Sequence, residues 1–106
     1  MQRIKVSGIP IQTVAVNTSD TSQTLSDMGV TIVHATSPRL EQAQYVIISV
    51  ESNPIRVVPA GTASTTVGHL FQVGESFRLE EQEIKLAEFI SANAGSAATL
   101  QVTVEY

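Results

Sequence analysis

His34 and His69 are the two side chains best suited to moving a proton near neutral pH, and neither has a partner nearby in sequence. A hydrolytic set would need one of the many serines or threonines beside a histidine, with Asp20 or Asp27 to orient it. No Gly-x-Ser-x-Gly elbow is present, and no spacing favours such a set. With no third ligand suggested, both histidines read as structural or surface residues. Glu80, Glu81 and Glu83 form the densest carboxylate cluster. A glycosidase pair must face across a cleft, whereas neighbours on a strand point to opposite faces, so this cluster reads as a solvated turn or strand end.

Other site chemistries are excluded on similar grounds. Cysteine is absent, which removes thiol nucleophiles, thiolate zinc sites and disulfides. The stretch from Asn17 to Gly29 is rich in side-chain oxygens but has only two carboxylates, too few for a calcium loop. Gly61, Gly68 and Gly74 are too widely spaced for a phosphate loop, and no lysine accompanies them. Gly61 and Gly74 read instead as turn positions with positive φ. The aromatic residues Tyr45, Phe71, Phe77, Phe89 and Tyr106 are not interleaved with basic side chains, as a nucleic-acid platform would require. Arg56 and Arg78 are isolated and are expected to pair across strands with Glu51, Glu75 or Glu80. No catalytic, metal or cofactor-binding residue is assigned, and no enzyme activity is expected.

Composition limits the partners as well. The chain has 106 residues, six basic and ten acidic, for a formal net charge of −4. That balance argues against nucleic acid and against an anionic membrane surface. No apolar run approaches the roughly 18 residues of a membrane helix, and the first sixteen residues lack the apolar core of a signal peptide. Absence of cysteine fits synthesis in a reducing cytoplasm. Charged residues make up only 15% of the chain, so some surface is a candidate for cover by a partner.

The elements that must position these residues are short strands. Abundant Val, Ile and Thr suit a pleated surface better than a helix. Residues 4–6 and 11–16 read as strands separated by the Ile9-Pro10 break, and residues 1–16 as an edge strand or oligomerisation arm. The stretch 17–29 reads as an exposed loop, followed by a strand from Val30. Ser37 and Pro38 have the chemistry to cap and open a helical turn through residue 44. The run 45–51 is apolar enough for a central strand buried on both faces. Ser52-Asn53-Pro54 predicts a hairpin into residues 55–58. Residues 75–80 alternate, with Phe77 and Leu79 inward. From Ala98 to Tyr106 alternation is complete, with Ala98, Leu100, Val102, Val104 and Tyr106 on one face. Residues 81–92 fit helix and strand about equally, and flanking strands tip the reading mildly to strand. Seven to nine strands in about one hundred residues predict a single all-β domain over residues 1–106, an antiparallel β-sandwich, jelly-roll or Greek-key like.

From residue 44 onward, one pattern resembles small virion proteins of tailed bacteriophages. It consists of an apolar strand ending in acid (residues 46–51), then Ile55-Arg56, then a glycine with a Thr/Ser-rich turn at Gly61–Thr66. Gly68-His69-Leu70, Gly74-Glu75 and the closing Ala98–Val104 strand complete it. The turn departs from the pattern in having Ala63 and Ser64 before Thr65, without the usual proline. The resemblance implies a capsid decoration (cement) protein on the virion's outer capsid surface, assembled in the host cytoplasm. It would be a homotrimer bound to the major capsid protein, with no cofactor, no nucleic acid and no membrane. A tail- or spike-associated receptor or carbohydrate-binding module is the alternative. Contacts would then come from residues outside the sandwich core, namely Arg3, Ile4, Ile9, Ile11, Thr18, Asp20 and Thr24.

Overall fold

Backbone alternation along the chain resolves into two packed antiparallel sheets. The structure, a computed structural model, describes residues 12–36 and 39–106. Its strands are β1 (Gln12–Asn17), β2 (Gln23–Thr24), β3 (Val33–Thr36), β4 (Arg39–Gln42), β5 (Tyr45–Ser52), β6 (Ile55–Val58), β7 (His69–Phe71), β8 (Ser76–Glu80), β9 (Glu88–Ser91) and β10 (Thr99–Glu105). A short helix, α1 (Gln82–Leu86), lies between β8 and β9. One sheet has the order β1-β10-β5-β8, the other β2-β9-β6-β7, and β3 with β4 forms a separate hairpin. The all-β sandwich expected from the sequence is the fold.

Register explains the core. Val14, Val102, Ile48 and Phe77 stand side by side across the first sheet, as do Val104, Val46 and Leu79. Since side chains alternate across a pleat, these rows share one face. Ile55, Val57 and Phe89 of the second sheet belong to the same buried cluster, as do Leu25, Val30, Ile84 and Tyr106. The alternation from Ala98 to Tyr106 holds at every position, all five inward residues being buried.

Several local expectations are corrected. Residues 39–42 form strand rather than helix, with Val33 opposite Gln42 and Thr36 opposite Arg39. A ladder satisfies backbone groups that a single helical turn would leave open. Ser37 and Pro38 lie outside the described residues, as do the strand expected at residues 4–6, the Ile9-Pro10 break and all but the last five residues of the arm at 1–16. Gln12–Val16 of that arm do lie in an edge strand.

β5 is buried on one face only, with Val46, Ile48 and Val50 inside and Ile47 44% exposed. No hairpin joins β5 to β6, because the two strands belong to different sheets. Asn53 turns this corner at φ 57°. Its side-chain amide donates to the Ala97 carbonyl at 3.0 Å, and the Ser52 hydroxyl accepts from Thr99 N at 3.0 Å.

Residues 81–91 prove to be helix and then strand. Glu81 takes φ 54°, which ends β8, and Ala87 returns to extended backbone before β9. A single helical turn is thus the crossing between sheets, burying Ile84 and Ala87. Nor is the stretch 17–29 simply an exposed loop. It contains β2, and both Thr18 and Leu25 are buried.

Candidate interaction surface

The glycine- and hydroxyl-rich stretch after β6 is a folded flap. Arg56 points out of the second sheet and donates from Nε to the Thr65 carbonyl at 2.8 Å and from a terminal nitrogen to the Gly68 carbonyl at 2.9 Å. The expected carboxylate partner of Arg56 is therefore replaced by backbone oxygens, which a guanidinium fork can grip in pairs. Beneath the flap, Ala63 is buried with Val58 and Ile90 in a small second core. Its amide donates to the Ser22 hydroxyl at 2.9 Å, and Ser22 in turn donates to Glu88 at 2.7 Å. Gly61 and Gly74 do have positive φ, at 99° and 92°.

The flap delivers the chain into β7, an edge strand of its sheet, and β8 is the corresponding edge of the other sheet. Between these edges the sandwich opens into a groove of about 450 Å³. Val57, Leu70, Phe71, Phe77 and Leu79 supply apolar lining, and His69, Arg78 and Glu83 stand among them. Phe71 and Phe77 stack at 4.1 Å between ring centroids, with Phe89 a further 6.3 Å from Phe77. Arg78 is held at the rim by Glu80 at 2.9 Å and lies 5.0 Å from the centre of the Tyr45 ring. The expected pairing of Arg78 with Glu80 is present, along one strand rather than across two.

Exposed apolar side chains gather on the segments flanking this groove. Val67 precedes β7, Leu70 lies in it, Val73 follows it and Leu86 ends α1, each between 43% and 56% exposed. Val14 and Ile47 of the first sheet are exposed to a similar degree, and single exposed apolar residues are ordinary. It is the apolar groove between two open edges that marks a surface suited to association.

Of the sequence-predicted contact residues, Thr18, Asp20 and Thr24 do not line this groove. Arg3, Ile4, Ile9 and Ile11 are outside the described residues. Thr18 is corrected as a surface contact, being only 3% exposed. Its hydroxyl shares a hydrogen bond with Ser91 at 2.8 Å and accepts from Ala98 N at 2.9 Å. Asp20 is exposed, and its carboxylate accepts from Gly95 N at 2.9 and 3.1 Å. Thr24 Oγ1 accepts from Asp27 N, while Asp27 accepts from Thr24 N, both at 3.1 Å. These groups fasten loops. The groove was not anticipated from the sequence; the apolar Val67, Leu70, Phe71 and Val73 between turn glycines are the signal that could have pointed to it.

The histidines fall on different elements, His34 on β3 and His69 on β7. Among the described residues, no three His, Asp or Glu side chains converge as a metal ion requires. Every buried side-chain nitrogen or oxygen among them has a hydrogen-bond partner. Burial pushes the Tyr106 phenol above its ordinary pKa, and its hydroxyl donates to the Thr31 carbonyl. No protein-family model matches the chain, and comparison with curated proteins and with solved structures gives no match.

Proposed function

We propose that this chain is a structural binding protein of a tailed-phage virion, seated as a homotrimer on the outer capsid surface, where it stabilises the shell. The observation that carries the reading is the apolar β7/β8 edge on a sandwich in which, among the described residues, every buried side-chain nitrogen or oxygen has a hydrogen-bond partner. Such a molecule offers a surface for association. The strand order supports it. β1-β2 lies against β10-β9 and β5-β6 against β8-β7, the path of a wound double hairpin, which we read as a jelly roll. That architecture is used by viral capsid and lectin domains, though a fold by itself does not fix a function. The sequence pattern from residue 44 onward supplies the virion assignment. Stabilisation would come from multivalency, several modest contacts summed over one trimer.

Purified protein is expected to bind emptied or expanded shells of its own phage and to saturate at a fixed copy number per lattice site. Absence of binding to those shells overturns the reading. Specific hits on a glycan array, without shell binding, would favour a receptor-binding module instead.

A further inference from the structure

Among the described strands, β1, β2, β7 and β8 end the two sheets of the sandwich. Three of them are guarded against further pairing. β2 has two residues and β7 three, which leaves little length for a ladder. β8 carries Arg78 and Glu80 on its solvent side, and the Glu83 carboxylate accepts from Glu80 N at 3.4 Å. Shortness and charge are the usual guards of a sheet edge. β1 has neither. Its six residues, Gln12–Asn17, hold no charge and no proline, and their register against β10 runs unbroken from Val104 to Thr99. Gln12, Thr13, Val14 and Ala15 are all exposed, and Val14 is 39% exposed although it ends a core-facing row.

Parity fixes which backbone groups of β1 face outward. Thr18 N donates to the Ala98 carbonyl, and bonding direction alternates along a strand, so Val16 and Val14 also address β10. The N–H and C=O groups of Thr13, Ala15 and Asn17 therefore point away from it. The 3.0 Å contact between Thr13 Oγ1 and Thr103 Oγ1 agrees, since opposed side chains come closest at pairs that share no backbone bond. We propose that β1 pairs antiparallel with β1 of a second copy across a two-fold axis at Ala15. Ala15 then faces Ala15 of the second copy, Thr13 faces Asn17, and each such pair exchanges both backbone bonds. This register uses every outward backbone group of the strand. It sets the smallest side chain of β1 at the axis and brings no like charges together. On the core-facing side, Val14 of each copy gains Val16 of the other as a neighbour, which covers apolar surface. The contact joins two four-stranded sheets into one. It is isologous, so the surface is its own complement and no foreign strand is needed. The inference goes beyond the proposed function, because a two-fold contact links copies of different trimers and does not require the shell.

Because Ala15 N points away from β10, Ala15→Pro should remove the contact and leave the fold intact. Light scattering at high protein concentration, without capsids, should give the parent at least twice the mass of Ala15→Pro, with both proteins β-rich by circular dichroism. Val14→Pro removes a bond to β10 and should instead lower the melting temperature. Ala15→Lys and Ala15→Glu each set like charges at the axis and should each show the lower mass alone, while their equimolar mixture should recover the parent's. This charge exchange carries the test should Ala15→Pro fail to fold. A parent mass equal to that of Ala15→Lys and of Ala15→Glu overturns the proposal. So does a mixture that stays at the lower mass. Failure of the trimer reads separately, as a monomeric rather than trimeric mass for Ala15→Lys, and shell binding measured alongside tests the virion reading on its own.

Discussion

Thr18 and Ser91, seventy-three positions apart in the chain, share a buried hydrogen bond of 2.8 Å that ties the end of β1 to β9 in the opposite sheet. Thr18 also exchanges two bonds with Ala98, its N donating to the Ala98 carbonyl and its hydroxyl accepting from Ala98 N, both at 2.9 Å. Thr18→Val keeps the shape but strands the Ala98 amide and the Ser91 hydroxyl. Each such buried group costs about 1–3 kcal/mol. Thr18→Val should therefore lower unfolding free energy by about 2–4 kcal/mol in urea titration. Ser91→Ala should cost less, and the double variant less than the sum.

The flap depends on Arg56. Arg56→Lys keeps the charge but loses the paired grip on the Thr65 and Gly68 carbonyls. The expected loss is about 1–3 kcal/mol, concentrated in the flap. Limited proteolysis should then cut within residues 59–68 sooner than in the parent protein, and hydrogen exchange should rise at the Ala63 amide.

Gly68 and Gly61 both have positive φ, at 130° and 99°, but differ in surroundings. A Cβ on Gly68 would lie 3.2 Å from Arg56 Cβ and from Val57 N and O, whereas one on Gly61 would meet nothing within 4 Å. Gly61→Ala should cost only backbone strain, of order 1 kcal/mol. Gly68→Ala adds a clash with β6 backbone and should be the more damaging by melting temperature.

Tyr106 gives the fold a sensitivity to alkali. Burial raises the pKa of its phenol in the folded protein. The folded state then holds the proton more tightly than the unfolded state. This contribution is full below the unfolded value of about 10 and is lost as pH rises through the folded value. Stability of the parent should fall above about pH 10 more steeply than that of Tyr106→Phe. Parallel curves for the two proteins would show that the phenol is not responsible.

Legibility in the sequence followed the range of the interaction. The last strand was readable because one face of β10 packs in the core from end to end, so burial and local period coincide from Ala98 to Tyr106. Phe77 and Leu79 were readable for the same reason. In residues 81–91, two periods were present because two elements were present, divided at Ala87. The corner at Asn53 carried turn residues that a hairpin and a change of sheet would use alike.

Sequence alone determined that the chain would fold mainly as strands and that residues 98–106 would have one apolar face, since alternation of side chains is a property of each strand taken singly. Tertiary structure decided which strands became neighbours, so it decided that Thr18 is sealed inside and that the β7 and β8 edges stand open. Those outcomes depend on hydrogen bonds and packing between residues far apart in sequence, whose partners no local pattern specifies.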